Sequence, residues 1–257
     1  MELFSRVNAV YTSFFGTSPP ARACVAADIP NNKHIVLDCL AFIETKSNDR
    51  QALHVQGLSY WAPANIGPYS QAISVHHQPF SIRHISHLIQ VNDSIFISGQ
   101  IGLIPATLGL PNPRSLPVEL ALSCQHAHRI AAAMNEAAGS NGIDNTAHTQ
   151  SSIYWLCDVK DLTAVKSSLR SLQVSVNIQE KKTTPLLRSL CFPFLTLDMF
   201  DRKQVPEHPI LFAVVRELPK GALVEKQVML HTGRCKVIDE DGEEEWEFQT
   251  PLFSQGE

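Results

Sequence analysis

No run of about twenty apolar residues occurs in the chain, so no membrane-crossing helix is expected. No basic stretch occurs either. The 21 Lys and Arg are outnumbered by 25 Asp and Glu, for a net charge of −4, which argues against a dedicated nucleic-acid groove. Charged residues make up only 18% of the sequence, little for a free surface, so extensive contact between subunits or domains is expected. None of the six cysteines (Cys24, Cys39, Cys124, Cys157, Cys191 and Cys235) forms a CxxC pair. That excludes a zinc ribbon and a thioredoxin motif and predicts reduced thiols in a cytoplasmic protein. The stretch from Met1 to Phe15 lacks the charged head and apolar run of a signal peptide. A Walker-type phosphate loop is missing as well. His126 and His128 stand two apart on a predicted helix and so point apart. His76, His77, His84 and His87 surround a loop without a matching acid or thiolate pattern, so no metal site is expected.

What is present is organised by hydrophobic period. Leu3, Val7, Val10 and Phe14 recur at helical spacing, and Gly16 follows as a stop. Ala21–Ala27 and His34–Ile43 are predicted as strands around the turn Pro30-Asn31-Asn32. A helix and two strands cannot easily bury a core alone. Residues 45–60 are polar and mixed and are expected to be a linker. A second unit spans 61–231. Its predicted strands are Ile73–His76, Leu88–Val91, Ile95–Ser98, Ser151–Leu156, Ile210–Val215 and Leu223–Leu230. One helix is expected along Leu120, Cys124, Ala127, Ala131, Met134 and Ala138, and another from Asp161 to about Val174. Gln78–His87 is expected to be a loop insertion and 179–209 an irregular connection. Residues 232–257 carry an acidic run from Asp239 to Glu245 and are expected to form a solvated tail. This order predicts an α+β fold, a sheet with helices on one face.

The most telling features are two short motifs, Ile66-Gly67-Pro68-Tyr69-Ser70-Gln71-Ala72 and Ile97-Ser98-Gly99-Gln100-Ile101. Each joins a glycine-marked bend to a strand, where the backbone can approach a ligand or another chain. Tyr69 and Ser98 place hydroxyls beside those bends. With Ala137-Ala138-Gly139 and Leu218-Pro219-Lys220-Gly221-Ala222-Leu223-Val224-Glu225, they make the second unit resemble a RidA-like (YjgF-type) domain. Residues 1–44 resemble the second half of another such domain, through Val7-Asn8-Ala9-Val10-Tyr11 and Pro20-Ala21-Arg22-Ala23-Cys24-Val25. The resemblance implies one and a half tandem domains with a chorismate-mutase-like sheet, assembled as a homo-oligomer or pseudo-trimer. Such a tandem resembles the C-terminal region of the eukaryotic diphthine–ammonia ligase family, whose members use ATP to amidate elongation factor 2. That family's Ser-Gly-Gly-Lys-Asp-Ser nucleotide loop is not in this sequence. ATP is therefore implied only for the resembled full-length ligase, elongation factor 2 enters only by resemblance, and no cofactor is expected in this chain. The chain is expected to serve as an accessory or assembly module.

RidA-like enzymes hydrolyse imines and enamines derived from amino acids. An arginine suits the carboxylate of such substrates because its fork donates two parallel hydrogen bonds. The resemblance assigns that role to Arg22 and a water-positioning role to Asp38, where the family has a longer glutamate. It places Asn8, Cys24, Tyr69, Ser98 and Gly99 in the substrate pocket. Tyr69 and Ser98 can equally be read as holding the bend and the sheet edge, and Cys24 as a small buried hydrophobe. In the second unit the arginine position falls within Ile210–Ala213, which holds no arginine. Arg216 comes several residues late, and the glutamate position falls on Gln227, which cannot act as a base. The losses are complementary, so a composite site is expected, with Arg22 facing Tyr69 and Ser98 and holding a small carboxylate. The alternatives are a divergent imine deaminase and a non-catalytic small-molecule-binding module.

Overall fold

The structure is a computed structural model. It describes residues 2–42, 44, 46, 49–75, 94–137, 148–179, 208–232, 234–238 and 244–248. In chain order the elements are α1 (Phe4–Phe15), β1 (Arg50–Leu53), β2 (Ala72–Val75), β3 (Ser94–Ile101), α2 (Leu116–Ala137), β4 (His148–Leu156), α3 (Asp161–Gln179), β5 (Ile210–Val214), β6 (Val224–His231), β7 (Arg234–Ile238) and β8 (Glu244–Phe248). Six strands form one sheet in the order β1-β2-β3-β6-β4-β5. All neighbours are antiparallel except β4 and β5. That parallel pair needs a crossover, which α3 supplies.

Alternation along β3 and β6 turns Ile95, Ile97, Val228 and Leu230 to one face. There they meet Ala127, Ile130 and Met134 of α2. A second cluster joins Leu120 and Cys124 of α2 to Tyr154 and Leu156 of β4, Val224 of β6 and Val165 of α3. Both long helices thus cover the same face, and the expected α+β class is the one observed. Ile130 has no solvent exposure, and Ile130→Ala would cost roughly 2–5 kcal/mol.

The sequence placed α2, β3, β4, β5 and β6 within a few residues, and the structure departs from it elsewhere. Residues 45–60, expected as a linker, contribute the edge strand β1, because Arg50–Leu53 pair with Ala72–Val75. Residues 232–257, expected as a solvated tail, contain the hairpin β7–β8. The third helix continues to Gln179. Asp161 lies inside its first turn, and Asp158 Oδ1 accepts from Lys160 N at 2.9 Å instead. In α1 the helical period holds but the face does not. Of the expected row, Leu3 and Val7 are partly covered, as are Phe4, Asn8 and Tyr11, whereas Val10 and Phe14 are exposed. Ala21–Ala27 makes only isolated bridges, Ala21 to Ser70 and Ala26 to Glu217. Residues 34–42, the described part of His34–Ile43, pair with no strand among the described residues. The expectations for 78–91, Gly139, 180–207 and 239–243 lie outside the described residues.

Candidate functional site

Three elements converge where α1 and the segment after it meet the sheet. The Arg22 carbonyl accepts from Gly99 N at 3.1 Å, and Ser70 N donates to Pro20 O at 3.1 Å. These bonds hold residues 20–22 across the ends of β2 and β3. The Arg22 guanidinium lies 4.3 Å from the centre of the Tyr11 ring and 5.5 Å from that of Tyr69, close enough for cation–π attraction. Its Nη2 donates to Asn8 Oδ1 on α1. Its Nε is buried without a partner.

Opposite stands Glu225 on β6, 2% exposed. Burial pushes its carboxyl up to about 8, so it is largely protonated at neutral pH. Its Oε2 is buried without a partner. Gly99 makes this placement feasible, since a Cβ there would lie 1.5 Å from Glu225 Oε1. The strand carrying Glu225 is fixed from behind by Glu119. That side chain has no solvent exposure and accepts from Leu223 N at 2.9 Å and from Arg114 Nε at 2.6 Å.

Arg22, Cys24, Tyr69, Gly99 and Glu225 line one small pocket, closed by Phe4, Ile66, Ile101 and Pro219. The pocket is small and only partly enclosed. Burial raises the Tyr69 hydroxyl to about 12 and also raises the Cys24 thiol. Both therefore stay protonated at neutral pH, and Cys24 is no ready nucleophile.

The sequence-predicted residues divide accordingly. Arg22, Cys24, Tyr69 and Gly99 come together, and Asn8 supports Arg22 from α1. Ser98 is fully buried. Its hydroxyl donates to Gln71 O at 2.9 Å and receives Gln100 Nε2 at 3.3 Å, so it holds the sheet and does not face the pocket. Asp38 is corrected outright: it is exposed on the unpaired 34–42 segment and does not line the pocket. Gln227 is not the pocket's answer to the missing glutamate either. Glu225, two residues earlier on the same face of β6, lines the pocket, and the signal for it was the absence of a side chain at Gly99. Arg216 pairs with Asp28 at 2.9 Å on the surface. Among the described residues no group of three potential metal ligands occurs, and no helix is long and apolar enough to cross a membrane.

No protein-family model matches the chain. Among curated proteins, the diphthine–ammonia ligase of Schizosaccharomyces pombe is 34% identical over 238 residues, which is 92% of this chain and 30% of that protein. The chain is similar to part of a diphthine–ammonia ligase. The Saccharomyces cerevisiae diphthine–ammonia ligase is 26% identical over 239 residues, covering 88% of this chain and 29% of that one. The chain thus spans about 30% of the length of the diphthine–ammonia ligases it matches. Solved structures similar to it include RidA from an Antarctic Psychrobacter, 19% identical with a TM-score of 0.41, covering 70% of this chain and 98% of that one. The YjgF gene product of E. coli is 18% identical with a TM-score of 0.40 over the same shares.

Proposed function

We propose that this chain is a RidA-like accessory module of a diphthine–ammonia ligase, and that its composite pocket holds a small carboxylate. The ligase role is supported by similarity that runs through nine-tenths of the chain but less than a third of the S. pombe protein, in a sequence that lacks the family's phosphate loop. In this reading ATP chemistry belongs to sequence outside this chain. Elongation factor 2 is the substrate of the whole ligase, and the module contributes assembly, as a homo-oligomer or pseudo-trimer.

The carboxylate reading rests on one observation. Arg22 Nε and Glu225 Oε2 are both buried, both unpartnered, and both at the same pocket. A buried polar atom without a partner is costly. A carboxylate would satisfy both, taking one hydrogen bond from the guanidinium and one from the protonated Glu225.

The ligase role is tested by a chimera in which this chain replaces the matched region of the S. pombe ligase, in cells lacking that enzyme. Mass spectrometry of elongation factor 2 should show diphthamide restored. A folded, expressed chimera that leaves diphthine unamidated would contradict it.

The pocket favours one second reading, imine hydrolysis. With the substrate carboxylate on Arg22, protonated Glu225 can give its proton to the imine nitrogen while water adds to the carbon, and the carboxylate so formed takes a proton from that water and returns it to the departing amine. Loss of ammonia then leaves a 2-oxo acid. Ammonia release from a freshly generated 2-imino acid, abolished by Arg22→Ala, is the expected result. Equal release with and without the chain would remove this reading.

A further inference from the structure

The row of β6 that faces the helices is apolar except at one place. Val224, Val228 and Leu230 are buried there, and Lys226 stands between them on the same face. A lysine in an apolar row is costly unless its ammonium finds a partner. No acid among the described residues pairs with it. Its Nζ instead donates to Cys124 Sγ on α2 at 3.8 Å. The same sulfur lies 3.8 Å from the Tyr154 hydroxyl on β4, and Lys226 Nζ lies 5.4 Å from the centre of the Tyr154 ring. Register fixes this meeting, because Tyr154 and Lys226 stand directly opposite each other across β4 and β6.

Three elements thus bring a thiol, a phenol and an amine to one point inside the helix-covered side of the sheet. Cys124 and Tyr154 are 4% and 3% exposed, and the Tyr154 ring is stacked on Phe212 at 5.6 Å, which holds the wall of the cluster still. The separation of Lys226 Nζ from Cys124 Sγ is too long for a direct nitrogen–sulfur bond. It leaves room for one bridging atom after a small movement of the flexible lysine chain. The carboxylate pocket uses none of these groups. Lys226 follows Glu225 in sequence, but alternation puts the two side chains on opposite faces of β6.

We propose that Cys124 and Lys226 form an oxidative cross-linking site, closed by dioxygen into a covalent S–O–N bridge between α2 and β6. Dioxygen is small and apolar, which suits a sulfur buried among apolar side chains. Its O–O bond breaks. One oxygen forms the S–O and O–N bonds, and the other leaves as water with the thiol hydrogen and one amine hydrogen. Sulfur and nitrogen each give up two electrons, the four that dioxygen takes up. A thiolate and an ammonium give the same count. Two equivalents of a dithiol reverse the step, returning the thiol, the amine and one water as two disulfides form. The bridge locks α2 to the sheet between residues 102 apart in sequence. The inference rests on the cluster alone and stands whether or not the pocket takes a carboxylate.

The test incubates the freshly reduced full chain under dioxygen and under nitrogen, and maps the digested products by mass spectrometry. Under dioxygen, a peptide pair joined through Cys124 and Lys226 should appear about 14 Da heavier than the sum of its two peptides, for one oxygen gained and two hydrogens lost. With heavy-isotope dioxygen the gain should be about 16 Da. The pair should be absent under nitrogen, absent when the chain is unfolded in urea, and lost on treatment with excess dithiol. Lys226→Arg, which keeps the charge, and Cys124→Ser should each abolish it. Four results would overturn the proposal: Cys124 recovered as a thiol or a sulfinic acid with Lys226 unmodified, a directly bonded pair about 2 Da lighter than the sum, a bridge that forms equally well in urea, or a bridging oxygen drawn from water. The wild-type chain decides the first of these, so the test does not depend on how well either variant folds.

Discussion

Replacing Glu225 with Gln should flatten the pH dependence of stability. The carboxyl is 2% exposed, its Oε2 has no partner, and burial raises it from an ordinary 4.5 to about 8. The folded protein therefore keeps a proton that the unfolded chain releases above pH 4.5. This contribution is fully present below about 4.5, falls as pH rises, and is gone above about 8. At ~1.4 kcal/mol per pH unit the whole window has a ceiling of about 5 kcal/mol. The stretch from pH 6.5 to 8 should show roughly 2 kcal/mol of it. Urea unfolding at pH 6.5, 7 and 8 measures this directly. The stability of the wild type should fall relative to Glu225→Gln across those points, while the variant, which has no charge to bury, stays level in that difference. Parallel curves for the two proteins would refute the burial argument and, with it, a protonated Glu225 at neutral pH.

Other consequences follow from the same geometry. Arg22→Ala should abolish carboxylate binding by isothermal titration, and Arg22→Lys should restore little of it, because one ammonium cannot reproduce the planar spacing by which Nη2 bonds Asn8 while Nε faces the pocket. Gly99→Ala drives a methyl into Glu225 Oε1; urea melts should show a loss of about 1–3 kcal/mol, and Glu225→Gly in the same chain should recover part of it. Ser98→Ala removes a bond to Gln71 O and should cost about 1–3 kcal/mol in the same melts without weakening carboxylate binding. His126 is held down to about 4 by burial, with Leu103 O 2.8 Å from its Nε2. Its contribution is present above pH 6.5 and lost as pH falls toward 4, so a His126→Asn variant should show less acid destabilisation than wild type between those values.

Local pattern made much of this fold legible. The row Leu120, Cys124, Ala127, Met134 marks the buried face of α2 without reference to anything distant, and Gly99 with Tyr69 marks the bends around the pocket. What was not legible depends on partners far along the chain. Arg50–Leu53 is a strand only because Ala72–Val75 lies beside it. Val10 and Phe14 belong to an apolar stripe by period, yet nothing among the described residues covers them. Asp38 and Glu225 show the same effect at the site. Asp38 is on a strand-like segment that pairs with no strand among the described residues, whereas Glu225 is on one that does, and which of Glu225 and Gln227, two apart on one face of β6, meets Gly99 turns on a register that only the sheet fixes.

One pocket is shared between the first 44 residues and the sheet, with Arg22 and Glu225 as its two proposed binding groups. Calorimetric titration of a short 2-oxo acid into the wild-type chain, Arg22→Ala and Glu225→Gln at pH 7 tests it most directly. One site per chain in the wild type, lost in Arg22→Ala and weakened in Glu225→Gln, is the predicted result. Binding of equal strength in all three proteins would show that the anion is held elsewhere and would contradict the account.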